Sequence, residues 1–258
     1  MKVYFKTFGC RTNIYDTELL KSYVKNYEIV NDDSIADIIV VNSCTVTNGA
    51  DSGVRNYINS MRNSGKKVIL TGCGAVSKGD ELFKSSAIFG VLGASNKSKI
   101  DEMLGKSEPF YELGDLNFID KNIVSNYENH TKAFIKIQEG CDFACSYCII
   151  PSVRGFSRSI DEDIILKEAK ILASNGYSEI VLTGTNIGSY GKGVGTSLGR
   201  LVAHLGKING IKRIRLGSIE PSQIDESFRE ILHEPWLERH LHIALQHTSQ
   251  QMLTIMNR

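Results

Sequence analysis

The sequence predicts an α/β protein: a flavodoxin- or Rossmann-like parallel sheet, then part of a second βα assembly of the barrel kind. Three observations carry this prediction. Short apolar, β-branched runs alternate with stretches of helical spacing, and parallel strands need such crossover helices. The alternation lapses once, over residues 106–131, where Glu108-Pro109, Gly114-Asp115 and Asn126-Tyr127-Glu128-Asn129 give no clear period. The chain has 258 residues, enough for one large or two modest domains at about 100–200 residues each.

Taken in order, Val3–Thr7 reads as a strand, and Asp16–Lys25 as a helix through Leu19, Leu20, Tyr23 and Val24. Asp37–Asn42 carries Ile38-Ile39-Val40-Val41, a run suited to a strand buried on both faces. Ala50–Arg62 is helical, Lys67–Thr71 and Ile88–Leu92 are strands, and Lys97–Leu104 is a helix. The expected domains are residues 1–105, a linker over 106–131 with one short strand, and a second domain over 132–258. In that second domain, strands are expected at Ala133–Gln138, Glu179–Thr183, Lys212–Leu216 and Leu241–Leu245. Helices are expected at Asp161–Asn175, Leu198–Ile208, Ile224–Leu232 and Gln250–Asn257. Ser159 or Asp161 serves as N-cap of the first of these helices and Gly176 as its C′ residue. Four consecutive βα units predict a barrel or part-barrel.

Composition narrows the class. The chain is 41% hydrophobic and 23% charged, and 30 basic against 29 acidic residues leave a net charge of +1. That balance excludes an overwhelmingly basic nucleic-acid scaffold but not a local basic patch. There is no apolar run long enough for a membrane helix and no secretory leader pattern, so a cytoplasmic, reducing setting is expected. In such a setting, clustered cysteines are metal ligands or catalytic groups rather than disulfides.

The six cysteines fall into two sets. Cys141, Cys145 and Cys148 have the spacing C-x3-C-x2-C directly after a strand and a Glu139-Gly140 turn. Three thiolates within eight residues can converge on one inorganic core. A zinc site borrowing His130 or His247 is the alternative, although structural zinc asks for four ligands. Cys10, Cys44 and Cys73 each lie just past the end of one of the first three apolar strands. Loops after the carboxyl ends of parallel strands share one edge of the sheet, where ligands bind. Three cysteines far apart in sequence are therefore expected to meet, as a second three-ligand set.

The segment Cys141–Cys148, followed by Ile149-Ile150-Pro151 and Arg154-Gly155, resembles the radical S-adenosylmethionine (SAM) superfamily. The resemblance implies a [4Fe–4S] cluster on Cys141, Cys145 and Cys148, with SAM on the fourth iron and a 5′-deoxyadenosyl radical as the reactive product. Tyr147 sits where the superfamily places an aromatic near the adenine. Four further stretches extend the resemblance to the methylthiotransferase family. They are Thr7-Phe8-Gly9-Cys10-Arg11-Thr12-Asn13, Asn42-Ser43-Cys44-Thr45-Val46-Thr47, Thr71-Gly72-Cys73, and Gln138-Glu139-Gly140-Cys141 through Arg154-Gly155. This implies a second, auxiliary [4Fe–4S] cluster on Cys10, Cys44 and Cys73 that carries or donates sulfur.

Three stretches resemble the branch acting on N6-threonylcarbamoyladenosine (t6A) at tRNA position 37. These are Val46-Thr47-Asn48-Gly49-Ala50-Asp51, Leu182 through Gly191, and Arg213 through Pro221. One departure is Leu245-Gln246-His247-Thr248-Ser249, where many tRNA-acting members carry Ser-Gly and the ribosomal-protein branch carries Gln-His. The resemblance also implies SAM contacts from Gly184, Asn186, Ser218, Glu220 and Gln246, with His247 a further SAM or substrate contact. Its implied partners are a tRNA anticodon arm and an electron donor such as flavodoxin or ferredoxin, with no membrane. Lys66/Lys67, Lys97/Lys99 and Arg154/Arg158 are candidate phosphate contacts. Phe143, Tyr147 and Phe156 are candidates to stack an exposed base.

Several features read as bland. The Gly-rich stretch from Gly184 to Gly199 lacks Gly-Lys-Ser/Thr and is no P-loop. His233, His240 and His242 read as ordinary surface histidines. The family resemblance further implies a six-unit barrel followed by a small RNA-binding TRAM domain, so the chain reads as C-terminally short of both. Two rivals remain open: a methylthiotransferase acting on i6A37 or a ribosomal-protein aspartate, and a non-catalytic iron–sulfur or zinc module.

Overall fold

The structure is a computed structural model that describes residues 1–45, 48–128 and 130–258. Val46 and Thr47 of the second cysteine motif, and Asn129 of the linker, lie outside the described residues. The chain forms two compact units, Met1–Asp120 and Lys121–Arg258.

The first unit is a six-stranded sheet built from β1 (Lys2–Thr7), β2 (Glu28–Ile29), β3 (Ile38–Ser43), β4 (Lys67–Gly72), β5 (Gly90–Leu92) and β6 (Phe110–Glu112). Its order is β2-β1-β3-β4-β5-β6, and every pairing is parallel. The helices are α1 (Arg11–Tyr23), α2 (Asn48–Asn63), α3 (Cys73–Ser77), α4 (Gly79–Lys84) and α5 (Ile100–Leu104). Strand β3 is buried at every position, as its uninterrupted apolar run requires. Its alternate side chains enter two cores. Ile39 and Val41 join Val54 and Ile58 of α2, while Ile38 and Val40 join Leu20 of α1 and Ile100 and Met103 of α5. Helices thus cover both faces, which is the doubly wound arrangement expected from sequence.

Two details depart from the sequence reading. Helix α1 starts at Arg11, five residues before the expected start, with Cys10 as its N-cap. Its first turns bury the polar residues Thr12, Asn13 and Asp16 beside Tyr15, so that most of what they bury carries no apolar signal. The one short strand expected within the linker is Phe110–Glu112, and the departure is its place: it pairs with β5 and extends the first sheet.

Lys97 was expected to face solvent as a phosphate contact. It is buried instead, in a 2.7 Å ion pair with Asp16. Its charge is already matched inside the unit, so it offers nothing to an RNA backbone. Removing one partner of such a pair strands the other charge in the core. Lys97→Met is expected to destabilise the protein by about 3–5 kcal/mol, read as a lowered denaturant midpoint.

The second unit has a four-stranded sheet in the order β10-β9-β7-β8. It comprises β7 (Ala133–Glu139), β8 (Arg158–Ser159), β9 (Glu179–Gly184) and β10 (Arg213–Arg215). Strands β7, β9 and β10 run parallel, and β8 is antiparallel to β7. Its helices are α6 (Ile150–Arg154), α7 (Glu162–Ser174), α8 (Leu198–Gly206), α9 (Glu226–Glu230) and α10 (Gln250–Ile255). Asp161 is the N-cap of α7. The helix ends as predicted at Gly176 (φ +93), where Tyr177 N–H reaches Leu172 O and Gly176 N–H reaches Ala173 O. Three successive parallel strands with intervening helices give the part-barrel arrangement. The expected fourth strand, Leu241–Leu245, does not form: only an isolated parallel bridge, Ile219 to Ile243, ties it to its neighbour. Among the described residues, no helix is long and apolar enough to cross a membrane.

Candidate active site

In the first unit the cysteines follow from the sheet topology. The chain runs from β1 to β2 on one side and then crosses to β3 on the other, so the winding reverses between β1 and β3. Loops diverge at such a switch point and leave a crevice at the carboxyl edge. Cys10 follows β1, Cys44 follows β3, and Cys73 follows β4, whose Gly72 is in register with Ser43. Cys10 is exposed; Cys44 and Cys73 are buried.

A hydrogen-bond lattice absent from the sequence reading fixes these three loops. Asn13 donates through Nδ2 to Phe8 O (2.8 Å) and Ser43 O (2.9 Å), joining the Cys10 loop to the Cys44 loop. Ser43 Oγ donates to Thr71 O and accepts from Gly74 N–H, joining the Cys44 loop to the Cys73 loop. Asn42 Nδ2 donates to Asn13 O and Thr17 Oγ1. Gly9, at φ +102, completes the arrangement, because a Cβ there would lie 2.2 Å from Cys44 Cβ and 2.7 Å from its Sγ. The Cys10 backbone can therefore pass beside the Cys44 thiol only while residue 9 has no side chain. Buried polar atoms at this edge, Asn42 Oδ1, Thr45 Oγ1 and Thr71 Oγ1, have no hydrogen-bond partner among the described residues. Three soft thiol donors beside unmet polar groups fit an inorganic cluster better than an apolar core does.

In the second unit, Cys141, Cys145 and Cys148 line one cavity of about 330 Å³. Among the expected SAM contacts, Tyr147, Asn186, Ser218, Glu220 and Gln246 line the same cavity. Gly184 does not line it. A Cβ on Gly184 would meet Gln138 O at 2.7 Å, so this glycine serves the close packing of β9 on β7. His247 also lies outside the lining, whereas His242, read as an ordinary surface residue, is part of it and hydrogen-bonds Ser218 Oγ at 2.7 Å.

Gln138 organises the cysteine loop from below. A register shift in β7 aims it at the loop, where Nε2 donates to Gly140 O (2.6 Å) and Oε1 accepts from Asn186 N–H (2.8 Å). Cys141 N–H bonds Gly155 O, and Gly140 at φ +77 lets the chain turn against Phe156. Beneath the loop, buried Glu139 pairs with Lys136 (3.2 Å) and with Arg154 (2.5 Å). Arg154 is thus a structural brace rather than the phosphate contact expected from sequence. Arg158 is likewise turned inward, donating to Arg154 O and Phe156 O. Lys66 donates to the carbonyls of Ser34 and Ala36. Phe143, Tyr147 and Phe156 are exposed, as a base-stacking role would need.

Arg258 was missed by the sequence reading and enters the cavity. Its guanidinium donates to Cys145 Sγ at 3.2 Å, pairs with Glu220, and lies 5.5 Å from the Phe143 ring centroid. Burial pushes the Cys145 thiol pKa up, and the Arg258 charge opposes that shift. Among the described residues, no three Cys, His, Asp or Glu groups stand close enough to hold a single metal ion. The cysteines of the second unit instead frame a space, with nitrogen donors on Cys141 (Asn186, 3.6 Å) and Cys145. Thiolates held apart around a cavity and supplied with hydrogen-bond donors suit an iron–sulfur cluster, in which each cysteine holds a different iron.

Comparison with known proteins agrees with this two-part geometry. Residues 2–93 match the Uncharacterized protein family UPF0004, and residues 135–258 match the Radical SAM superfamily. A Helicobacter pylori protein provisionally named a methylthiotransferase is 52% identical over the whole chain, which spans 62% of that relative. The threonylcarbamoyladenosine tRNA methylthiotransferase MtaB of Aquifex aeolicus is 38% identical, with 66% of its length covered. The tRNA-2-methylthio-N(6)-dimethylallyladenosine synthase of Fervidobacterium nodosum is 32% identical, with 62% covered. Among solved structures, the radical SAM methyltransferase TsrM of Kitasatospora setae, bound to cobalamin and a [4Fe-4S] cluster, superposes with a TM-score of 0.67. That match has 14% identity and covers 98% of this chain and 62% of TsrM, a likeness of fold. A UPF0004 region followed by a radical SAM region defines the class. The chain joins a region that matches UPF0004 to one that matches the Radical SAM superfamily, the curated relatives it matches along its whole length include proteins named methylthiotransferases, and it spans about three fifths of their length.

The lattice around Gly9 gives a direct test of the first cysteine set. Gly9→Ala is expected to separate the Cys10 and Cys44 loops, so that anaerobically reconstituted protein loses the iron of that set and keeps that of Cys141, Cys145 and Cys148. Iron analysis with electron paramagnetic resonance checks both parts.

Proposed function

We propose that this chain provides the catalytic part of a methylthiotransferase that adds a methylthio group to C2 of t6A at position 37 of tRNA. The observation that carries the proposal is the presence of two separate three-cysteine sets. One is held by the lattice of Asn13, Asn42 and Ser43, the other lines a cavity with polar groups ready for a second ligand. In this reading Cys141, Cys145 and Cys148 hold a [4Fe–4S] cluster, and Cys10, Cys44 and Cys73 hold the auxiliary one. When bound, the first cluster supplies the electron that cleaves SAM to a carbon radical. The protein's share is placement. Asn186, Ser218, Glu220 and Gln246 offer hydrogen-bonding and charged groups along one wall of the cavity. Tyr147 Oη donates to Gln246 Oε1 at 3.0 Å and holds that wall against the cysteine loop. Phe143 and Tyr147 are exposed rings in the cavity lining on which an unstacked adenine can rest, and Phe156 is a further exposed ring after the cysteine loop. An external one-electron donor such as flavodoxin or ferredoxin completes the scheme.

The t6A substrate is supported by the motifs from Leu182 to Gly191 and from Arg213 to Pro221, and by 38% identity to the Aquifex MtaB. The i6A substrate is a second reading, favoured by relatives of that name at 32–35% identity. Mass spectrometry of tRNA nucleosides from a strain lacking the gene decides between them. The proposal expects ms2t6A to vanish and t6A to accumulate. Persistence of ms2t6A, or loss of ms2i6A in its place, contradicts it.

A further inference from the structure

Cys141 receives a hydrogen bond whose direction is set by a chain of contacts outside the cysteine loop, through Asn186 and Gln223 to Glu220. The starting point is the backbone N–H of Glu220, which can only donate. It lies 3.0 Å from the side-chain oxygen of Gln223, so the Gln223 amide must present Oε1 there. Its Nε2 then faces the opposite way and donates to Asn186 Oδ1 (2.9 Å) and Ser189 Oγ (3.3 Å). With Oδ1 so engaged, Asn186 turns Nδ2 toward Cys141 Sγ, at 3.6 Å. The Asn186 backbone is pinned as well, its N–H donating to Gln138 Oε1.

The space for this chain of contacts is built into the loop after β9. A Cβ on Gly188 would lie 1.9 Å from Gln223 Oε1 and 2.4 Å from its Cδ, so only glycine admits the amide. Asn186 is 8% exposed and Cys141 9%, so water does not substitute freely for either partner.

We propose that Gln223 is a positioning residue that fixes the polarity of Asn186, so that an N–H rather than a C=O faces the Cys141 sulfur. The inference rests on the reading of Cys141 as a cluster ligand and adds a device that tunes that cluster. Hydrogen bonds to ligand sulfurs draw off electron density and raise a cluster's reduction potential. A carbonyl oxygen in the same place lowers it. Gln223 lines neither the cavity nor the cysteine loop, and its route to the Cys141 sulfur runs through Asn186.

The test is an anaerobic redox titration of the reconstituted protein, following the paramagnetic signal that SAM addition perturbs. Gln223→Met keeps the length of the side chain and removes both polar ends. It is expected to retain its iron and shift the midpoint potential downward. Asn186→Leu is expected to do the same, and the double variant is expected to shift no further than Asn186→Leu, because both act on one hydrogen bond. Gln223→Glu accepts from Asn186 instead of donating, inverts its amide, and is expected to lower the potential at least as far as Gln223→Met. A Gln223→Met protein at the wild-type potential overturns the proposal, as does a double variant whose shifts add. A separate outcome bears on the underlying reading: if the SAM-sensitive signal survives Cys141→Ala, it is the assignment of Cys141 as a ligand that falls.

Discussion

Cys141→Ala is expected to abolish formation of 5′-deoxyadenosine from SAM by the reduced protein. Cys141 is the most buried of its set, and three contacts fix its place: its own N–H to Gly155 O, the Gln138 side chain to Gly140 O, and the Asn186 amide to its sulfur. Cys145 and Cys148 alone leave two thiols around a cavity of about 330 Å³, too few for a stable cluster. Loss of a group that merely orients a metal ligand costs about 10–100-fold, so loss of the ligand itself is expected to exceed that range. Chromatographic assay of 5′-deoxyadenosine under dithionite checks it. Turnover within tenfold of wild type contradicts the assignment.

The second large effect separates the two cysteine sets. Cys44→Ala is expected to remove the methylthio product while 5′-deoxyadenosine continues to form. Cys44 is the hub of the first set: Gly9 passes against its sulfur, Asn13 bonds the carbonyl before it, and Ser43 links it to the Cys73 loop. None of these residues belongs to the unit that contains the cavity lined by Cys141, Cys145 and Cys148. Simultaneous measurement of 5′-deoxyadenosine and modified nucleoside reads the split. Equal loss of both would mean that the two sets serve one site.

Much of the fold was legible because it is written in local apolar patterns. The runs Ile38-Ile39-Val40-Val41 and Val68-Ile69-Leu70 announced β3 and β4, and their parallel pairing placed Cys44 and Cys73 on one edge. The start of α1 was not legible, since Asn13 and Asp16 bury polar groups that bond the cysteine loops and Lys97 instead of filling a core. A short strand was expected within 106–131, but that β6 joins the first sheet was not legible, because its pairing with β5 is a non-local contact that no window along the chain contains. Leu241–Leu245 has the alternation of a strand but makes only one bridge, so pattern alone overstated it.

The same division holds for the candidate site. All six cysteines, Asn186, Ser218, Glu220 and Gln246 were visible as residue types in motifs at strand ends. Gln223, Gln138, Asn13, Ser43 and Arg258 were not, because each acts by hydrogen bonds to groups distant in sequence. Lys97 and Arg154 show the converse error. A charged residue near a functional loop suggests a phosphate contact until its buried partner, Asp16 or Glu139, is seen.

The most direct test of the two-cluster account is metal and sulfide analysis of the wild-type protein after anaerobic reconstitution. The account predicts about eight irons and eight sulfides per chain, from two four-iron clusters, falling to about half when either cysteine set is replaced by alanine. About four irons in the wild type, or stoichiometric zinc in place of iron, would contradict it.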